Sequence, residues 1–234
     1  INRANLIVGT TPVYVSQSEF LKNYQHKINY IPIGVLPVQP DDSIVKRIRT
    51  QNIGKTLIFS LGRLVEYKGF EFLIKSAQYL PKTYKIVIGG KGPLKDKLES
   101  IIKENNLHDK VELLGFLSDD EAYGYFAASD LFVLSSIAKT EAFAIVQIEA
   151  MSCGKPIITC DIEGSGVSWV NKHQNSGLIC EGKNSLELAK NIILIGEDRN
   201  LYNNLSLGAK MRFNTYFHRN VMIDKTIELY TTLV

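Results

Sequence analysis

Two glutamates, Glu141 and Glu149, stand in the stretch TEAFAIVQIEAMSCGKPIITCD, residues 140–161. DLFVLSS, just before it, and KPIITCD, which ends it, read as buried strands, so a helix that starts near Glu141 sits between two parallel strands. At about 100° per residue the two carboxylates differ in direction by only about 80°, and both look toward one side. Unpaired backbone N–H groups and the positive end of the dipole at such a helix start suit phosphate, while a carboxylate further along suits sugar hydroxyls. The arrangement asks for an anionic, hydroxyl-bearing ligand. Alone it is a weak signal, because Phe143, Ile145, Val146, Ile148 and Met151 make the helix apolar around most of its circumference, as in an ordinary core helix.

A second set of residues follows another strand. TLIFSLGRL, residues 56–64, is a short apolar strand ending in Gly62-Arg63, and Val65-Glu66-Tyr67-Lys68-Gly69 leads into a helix over residues 70–79. Open parallel sheets bind ligands beyond the carboxyl ends of their strands, which places Arg63 and Lys68 within reach of the crevice that the Glu141 helix faces. A guanidinium fork and a mobile ammonium complement a diphosphate, although basic residues near a turn are more often simply solvated. In YKIVIGGKGP, residues 84–93, Gly89, Gly90 and Gly92 permit a tight turn and Pro93 opens the next helix. The strand over residues 110–115 ends in Phe116-Leu117, which either frame a base by stacking and a backbone hydrogen bond or cover the sheet edge. Ser118 with Glu121 has capping-box spacing and starts the helix after it.

These motifs, E-A-F-A-I-V-Q-I-E-A-M-S-C-G-K-P and G-R-L-V-E-Y-K-G in this order, resemble the retaining glycosyltransferases of family four, which have the GT-B fold. The match holds at both acids and at Ala150, Met151, Gly154 and Pro156. It departs at Ala144, where the family usually has glycine, and at Ile33 in Ile31-Pro32-Ile33-Gly34-Val35, where asparagine is commonest. The resemblance covers nearly the whole chain. It implies the end of an acceptor domain and hinge over residues 1–37, a Rossmann-like donor-binding domain over 38–217, and a crossover helix over 218–234.

The same resemblance assigns roles. Arg63 and Lys68 would neutralise the leaving diphosphate, and Glu141, with the backbone amides near Phe143 and Ala144, would orient the hexose. Glu149 would hold the ribose hydroxyls, with Gly62, Gly89, Gly92, Phe116 and Leu117 lining the donor. No cofactor is expected, the nucleotide diphosphate sugar being a substrate, with UDP favoured over GDP. IPIGV and CDIEGSGVSWVN look most like bacterial enzymes of O-antigen or capsular polysaccharide assembly, so the implied acceptor is a lipid-linked saccharide. Two other readings stand beside this one: a nucleotide-sugar epimerase of the same fold, and a non-catalytic nucleotide-sugar-binding module.

The remaining sequence bounds these readings. Its 234 residues are 45% hydrophobic, enough for one substantial core with appendages. A net charge of +3, from 27 basic and 24 acidic residues, with no basic stripe interleaved with aromatics, gives no case for nucleic acid. Cys153, Cys160 and Cys180 lie in apolar surroundings without C-x-x-C spacing, as buried free thiols of a reducing compartment would. His108, His173 and His218 lack ligand or triad spacing, and no D-x-D occurs, so metal independence is expected. Gly54-Lys55-Thr56 resembles a P-loop tail, but Arg49 stands where that motif needs glycine and the triplet precedes a strand. No run reaches the roughly 20 apolar residues of a membrane span. A cytoplasmic protein follows, with peripheral contact at the inner membrane left open.

Alternating strands and helices predict an α/β three-layer domain with about six parallel strands. Ahead of it, NLIVGTT is expected to enter a sheet, a short helix to span residues 16–22, a short strand and a turn to lie over 27–37, and a polar linker running into a short helix to lie over 38–52. The sequence opens on Ile1 without methionine, as expected of a piece of a longer protein that keeps only the end of its acceptor domain. Such a piece would bind donor and turn over poorly. Trp169 is expected to anchor the core rather than face a sugar, and the tail to form amphipathic helices.

Overall fold

The computed structural model describes residues 1–232, so the last two residues of the segment 218–234 lie outside it. The six expected strands form one parallel sheet. β3 (Thr56–Leu61), β4 (Tyr84–Gly89), β5 (Val111–Gly115), β6 (Leu131–Leu134), β7 (Ile157–Cys160) and β8 (Gly177–Cys180) are ordered β5-β4-β3-β6-β7-β8. The chain runs outward from β3 to β5, returns to the centre at β6 and runs outward again. That reversal between β3 and β6 is the point where a doubly wound sheet opens a ligand crevice.

The strands are apolar on both faces because helices cover both, and β6 and β7 are buried at every residue. On one face α3 (Phe70–Ser76), α4 (Lys95–Glu104) and α8 (Ser185–Glu197) bury Leu73, Leu98, Leu188 and Ile192 against Ile58, Ile86 and Val133. On the other, α2 (Asp42–Gln51), α5 (Asp119–Ala128), α6 (Ile145–Ser152) and the short α7 (Val167–Val170) cover Leu57, Phe59, Phe132 and Ile157. Phe59 lies within 5.1–5.9 Å, centroid to centroid, of Tyr125, Phe126 and Phe132. Aromatic contacts of this kind tie α5 to the sheet beyond their area burial. α5 starts as its cap predicts, with Ser118 Oγ accepting from the Glu121 N–H at 3.3 Å.

As expected, β1 (Ile7–Gly9) enters a sheet, pairing in parallel with β2 (Ile28–Tyr30) in a two-stranded sheet separate from the main one. The helix expected over 16–22 is instead α1 (Pro12–Ser16), capped by Thr11 and opened by Pro12, and a 3₁₀ turn, Lys22–Lys27, follows. After α9 (Arg199–Arg212) a π-type turn, Phe213–Phe217, leads into α10 (Arg219–Thr231). α10 buries no residue and exposes Ile223, Ile227 and Tyr230. It touches the start of the chain through Gly34 N–H to Met222 Sδ, 3.3 Å, and a bridge between Val35 and His218.

Cys160 and Cys180 are buried side by side in register on β7 and β8, whereas Cys153 is only half-buried, contrary to the expectation of three buried thiols. Trp169 anchors the core: the Arg212 guanidinium lies 5.2 Å from its ring and 4.9 Å from that of Tyr216, and Arg212 Nε donates to the Val170 carbonyl at 2.7 Å.

Candidate donor site at the carboxyl ends of the strands

The loops after β3, β4 and β5 are laced together by backbone, and glycine makes this possible. Gly62 N–H donates to the Gly89 carbonyl at 3.0 Å, Gly90 N–H to Gly115 at 2.6 Å, and Leu64 N–H to Lys91 at 2.9 Å. A Cβ on Gly90 would stand 1.8 Å from the Gly62 oxygen, and one on Gly92 would stand 2.4 Å from the Leu64 oxygen. Gly89 leaves room for the side chain of Leu117, which comes within 2.6 Å of where its Cβ would be. Of the expected lining residues, Phe116 is 69% exposed while Leu117 is half-buried against Gly89.

The loops after β3 and β6 meet at the reversal point. Gly69, in the left-handed region at φ 63°, brings its Cα against the Ser135 carbonyl; Ser135 Oγ donates to the Lys68 oxygen at 2.9 Å, and Ile137 N–H to Tyr67 at 2.8 Å. Lys68 and Glu141 are thereby buried together, their side chains 9% and 10% exposed, with Nζ in a short hydrogen bond to Glu141 Oε2. Ser136 Oγ donates to the same oxygen at 2.8 Å. Ser165 Oγ donates to the Glu141 carbonyl, and Gly166 N–H to that of Ala142 at 2.9 Å. The Gly-Ser loop after β7 thus holds the backbone on which Glu141 rides. Arg63 is exposed and forms no ion pair among the described residues.

Sequence and structure part company at the start of α6. The helix begins at Ile145, so Glu141 lies in the preceding loop and not in a first helical turn. Ala144, the cap residue, has φ 61° and ψ 83°. That conformation costs a residue with a Cβ roughly 1–2 kcal/mol and costs glycine almost nothing, which accounts for the glycine expected at this position. Phe143 turns inward, 5.9 Å edge-to-face from Phe217, so its side chain belongs to the core.

Glu149 does not share the surroundings of Glu141. It lines a cavity of about 430 Å³ with Tyr123, Arg219 and the segment Val35, Pro37 and Val38, and its carboxylate accepts no hydrogen bond among the described residues. Burial, and then the nearby Asp119 carboxylate, raise its pKa. Burial, with Glu149 next, likewise raises that of the Tyr123 hydroxyl.

A carboxyl that holds its proton more tightly folded than unfolded favours the fold at low pH, and stability falls as pH rises from the unfolded pKa through the raised folded one. Glu149→Gln is therefore expected to raise Tm above that window and to leave it little changed below it. Melting curves from pH 4 to 8 check this; equal shifts at both ends would show that Glu149 does not titrate as described.

Sequence reading missed Ser136, Ser165 and Tyr123 as partners of the two acids. Ser136 bonds Glu141 from the same loop after β6, Ser165 does so from the loop after β7, which meets it only in the fold, and Tyr123 reaches Glu149 from a neighbouring helix. Among the described residues no group of three or more His, Cys, Asp or Glu could hold a metal ion, and no helix is long and apolar enough to cross a membrane.

Residues 42–212 match the family described as "Glycosyl transferases group 1". The chain is 31% identical over 232 residues to O-antigen chain mannosyltransferase C of Escherichia coli, covering 97% of itself and 61% of that protein. With a Campylobacter jejuni enzyme named N-acetylgalactosamine-N,N'-diacetylbacillosaminyl-diphospho-undecaprenol 4-alpha-N-acetylgalactosaminyltransferase it shares 34% over 159 residues, 68% of the chain and 42% of the relative. The chain thus spans from two-fifths to three-fifths of the length of these relatives. Its fold superposes on Anabaena Alr3699/HepE, solved in complex with UDP, with TM-score 0.87 and 23% identity, over 98% of this chain and 64% of that one. The sequence motifs, the doubly wound sheet and the matched residues agree, and the chain belongs to the group 1 glycosyl transferases.

Proposed function

We propose that this chain is the donor-binding part of a retaining glycosyltransferase. The complete enzyme moves a hexose or N-acetylhexosamine from a nucleotide diphosphate sugar, UDP-linked in preference to GDP-linked, to a hydroxyl of a lipid-linked saccharide. The observation that carries the proposal is the convergence, at the β3–β6 reversal, of Arg63, without an ion pair among the described residues, the Lys68–Glu141 pair and the start of α6. Three names support the substrate classes: an O-antigen mannosyltransferase, a transferase acting on a diphospho-undecaprenol-linked sugar, and a neighbour of like fold that binds UDP. The first two support a role in bacterial surface polysaccharide synthesis; the proposal places that reaction in the cytoplasm, at the inner face of the membrane.

In the reaction the bond between the anomeric carbon and the diphosphate oxygen breaks, and its electron pair stays on the diphosphate. Arg63 and Lys68 stabilise that developing charge, side-chain cations doing so without a metal ion. Free N–H groups at the start of α6 and the Glu141 carboxylate orient the sugar, and Glu149 accepts hydrogen bonds from the ribose hydroxyls. The acceptor hydroxyl then bonds the anomeric carbon through its oxygen on the face the diphosphate has left and passes its proton to the departed diphosphate oxygen, giving retention.

Calorimetric titration with UDP, GDP and their sugar conjugates tests this. UDP is expected to bind most tightly, and Arg63→Ala and Glu149→Ala each to weaken it about tenfold or more, the loss of a charge-assisted hydrogen bond. Binding that neither substitution weakens would refute the site.

A further inference from the structure

We propose that Lys91 reads the keto oxygen of the donor's nucleobase at C4 of uracil or C6 of guanine, where cytosine and adenine carry an amino group, and so selects uracil or guanine over cytosine or adenine. The proposal rests on the nucleotide-sugar reading above and deepens it. Phe116, at the end of β5, is left 69% exposed, a large apolar ring that the core does not use. Lys91 Nζ stands 5.1 Å from its centroid. The backbone of Lys91 is fixed between Gly90, bonded to Gly115 at 2.6 Å, and Gly92, packed on Leu64, while its own carbonyl accepts from Leu64 N–H at 2.9 Å. Its side chain is exposed and forms no ion pair among the described residues. An ammonium held over a largely exposed aromatic ring makes a platform that carries its own directional donor.

Placement separates this group from the diphosphate site. β4 and β5 are one and two strands from β3, on the side away from β6, so at about 5 Å per strand Lys91 and Phe116 lie roughly 5–10 Å from the Arg63 end of the crevice. A ribose spans such a gap. An ammonium has three donors and no acceptor. It bonds the carbonyl that uracil or guanine presents at the base edge, and it opposes the amino hydrogens that cytosine or adenine presents there. The ring beneath gives stacking that any base can use, leaving discrimination to the lysine.

The test is equilibrium binding of UDP, CDP and inorganic pyrophosphate to the 234-residue chain, to Lys91→Met and to Phe116→Ala. The unaltered chain is expected to prefer UDP to CDP at least tenfold. Lys91→Met should lower UDP affinity by about tenfold, the loss of one charged hydrogen bond, and leave CDP and pyrophosphate within about twofold, so that the preference nearly vanishes. Phe116→Ala should weaken UDP and CDP alike and spare pyrophosphate. Equal losses of UDP, CDP and pyrophosphate in Lys91→Met would make Lys91 a phosphate ligand and overturn the inference, as would an unchanged UDP-to-CDP ratio; both outcomes leave the glycosyltransferase reading intact. Failure of the unaltered chain to bind any nucleotide would overturn both.

Discussion

Glu141→Gln is expected to lower the Tm of the ligand-free chain by on the order of 10 °C and, at the same time, to enlarge the thermal shift that UDP produces. Lys68 and Glu141 are buried together, their side chains 9% and 10% exposed. Removing one charge from such a pair strands the other in a poorly polarisable interior, at a cost of about 3–5 kcal/mol, and in a chain of this size each kcal/mol moves Tm by about 2–4 °C. Ser136 can still donate to the amide oxygen of glutamine, so the loss reflects charge more than packing. Lys68→Met/Glu141→Gln removes both charges together and should recover most of the stability.

The ligand effect has the opposite sign because the diphosphate offers the stranded ammonium a new partner. In the unaltered chain that phosphate has to compete with a carboxylate already in contact; in Glu141→Gln it does not, and a ligand that binds the folded state more tightly raises Tm further. Sugar transfer by the complete enzyme should nevertheless fall, since the sugar loses an orienting acceptor. Scanning fluorimetry with and without UDP separates the outcomes. A smaller UDP shift in Glu141→Gln than in the unaltered chain would mean that Lys68 does not meet the diphosphate, and a double variant as unstable as either single one would mean that the two charges are not coupled.

This pairing shows what could be read in the sequence and what could not. β6 and β7 were legible because a strand buried on both faces is an unbroken apolar run, and α5 because Ser118 and Glu121 have the spacing of a cap. Once those strands are placed in alternation with helices, doubly wound topology puts Arg63, Lys68 and Glu141 at one end of the sheet. Whether a cation there meets solvent or a carboxylate is decided by loops. Lys68 and Glu141 are 73 residues apart, and Gly69, Ser135 and Ser136 bring them together only after β3 and β6 have paired. The start of α6 was misread for a related reason: Glu141 through Ala144 carry no helix-breaking residue, and the chain departs from the helix there because Ala144 is held at positive φ. β1 was an apolar run like the others, and its separation into a two-stranded sheet depends on pairing with β2, which periodicity does not report. α1, by contrast, had a readable start in Thr11-Pro12, a capping hydroxyl followed by proline, which the search for apolar spacing passed over.

Gly90→Ala is expected to be the most damaging small substitution at the site, whereas Gly54→Ala, also at a left-handed glycine, should be mild. Gly54 has φ 73° and nothing within 4 Å of an added Cβ, so alanine there meets only backbone strain, roughly 1 kcal/mol. Gly90 has φ 138°, and its added Cβ would stand 1.8 Å from the Gly62 carbonyl oxygen. That oxygen belongs to the β3 loop and cannot rotate aside as the tip of a side chain could. Relief requires the two loops to part, breaking bonds such as Gly62 N–H to Gly89 and Leu64 N–H to Lys91, and shifting Arg63 with them. Strain and overpacking together should cost about 2–5 kcal/mol. The functional loss should exceed what instability explains: at a temperature where circular dichroism shows the variant folded, UDP affinity should still be down at least about tenfold, because a cation displaced by about 1 Å no longer matches its phosphate. Comparing Gly90→Ala with Gly54→Ala isolates the close approach from the dihedral cost they share. If the two variants lose similar stability and both keep UDP binding, contact between the β3 and β4 loops does not shape the donor site.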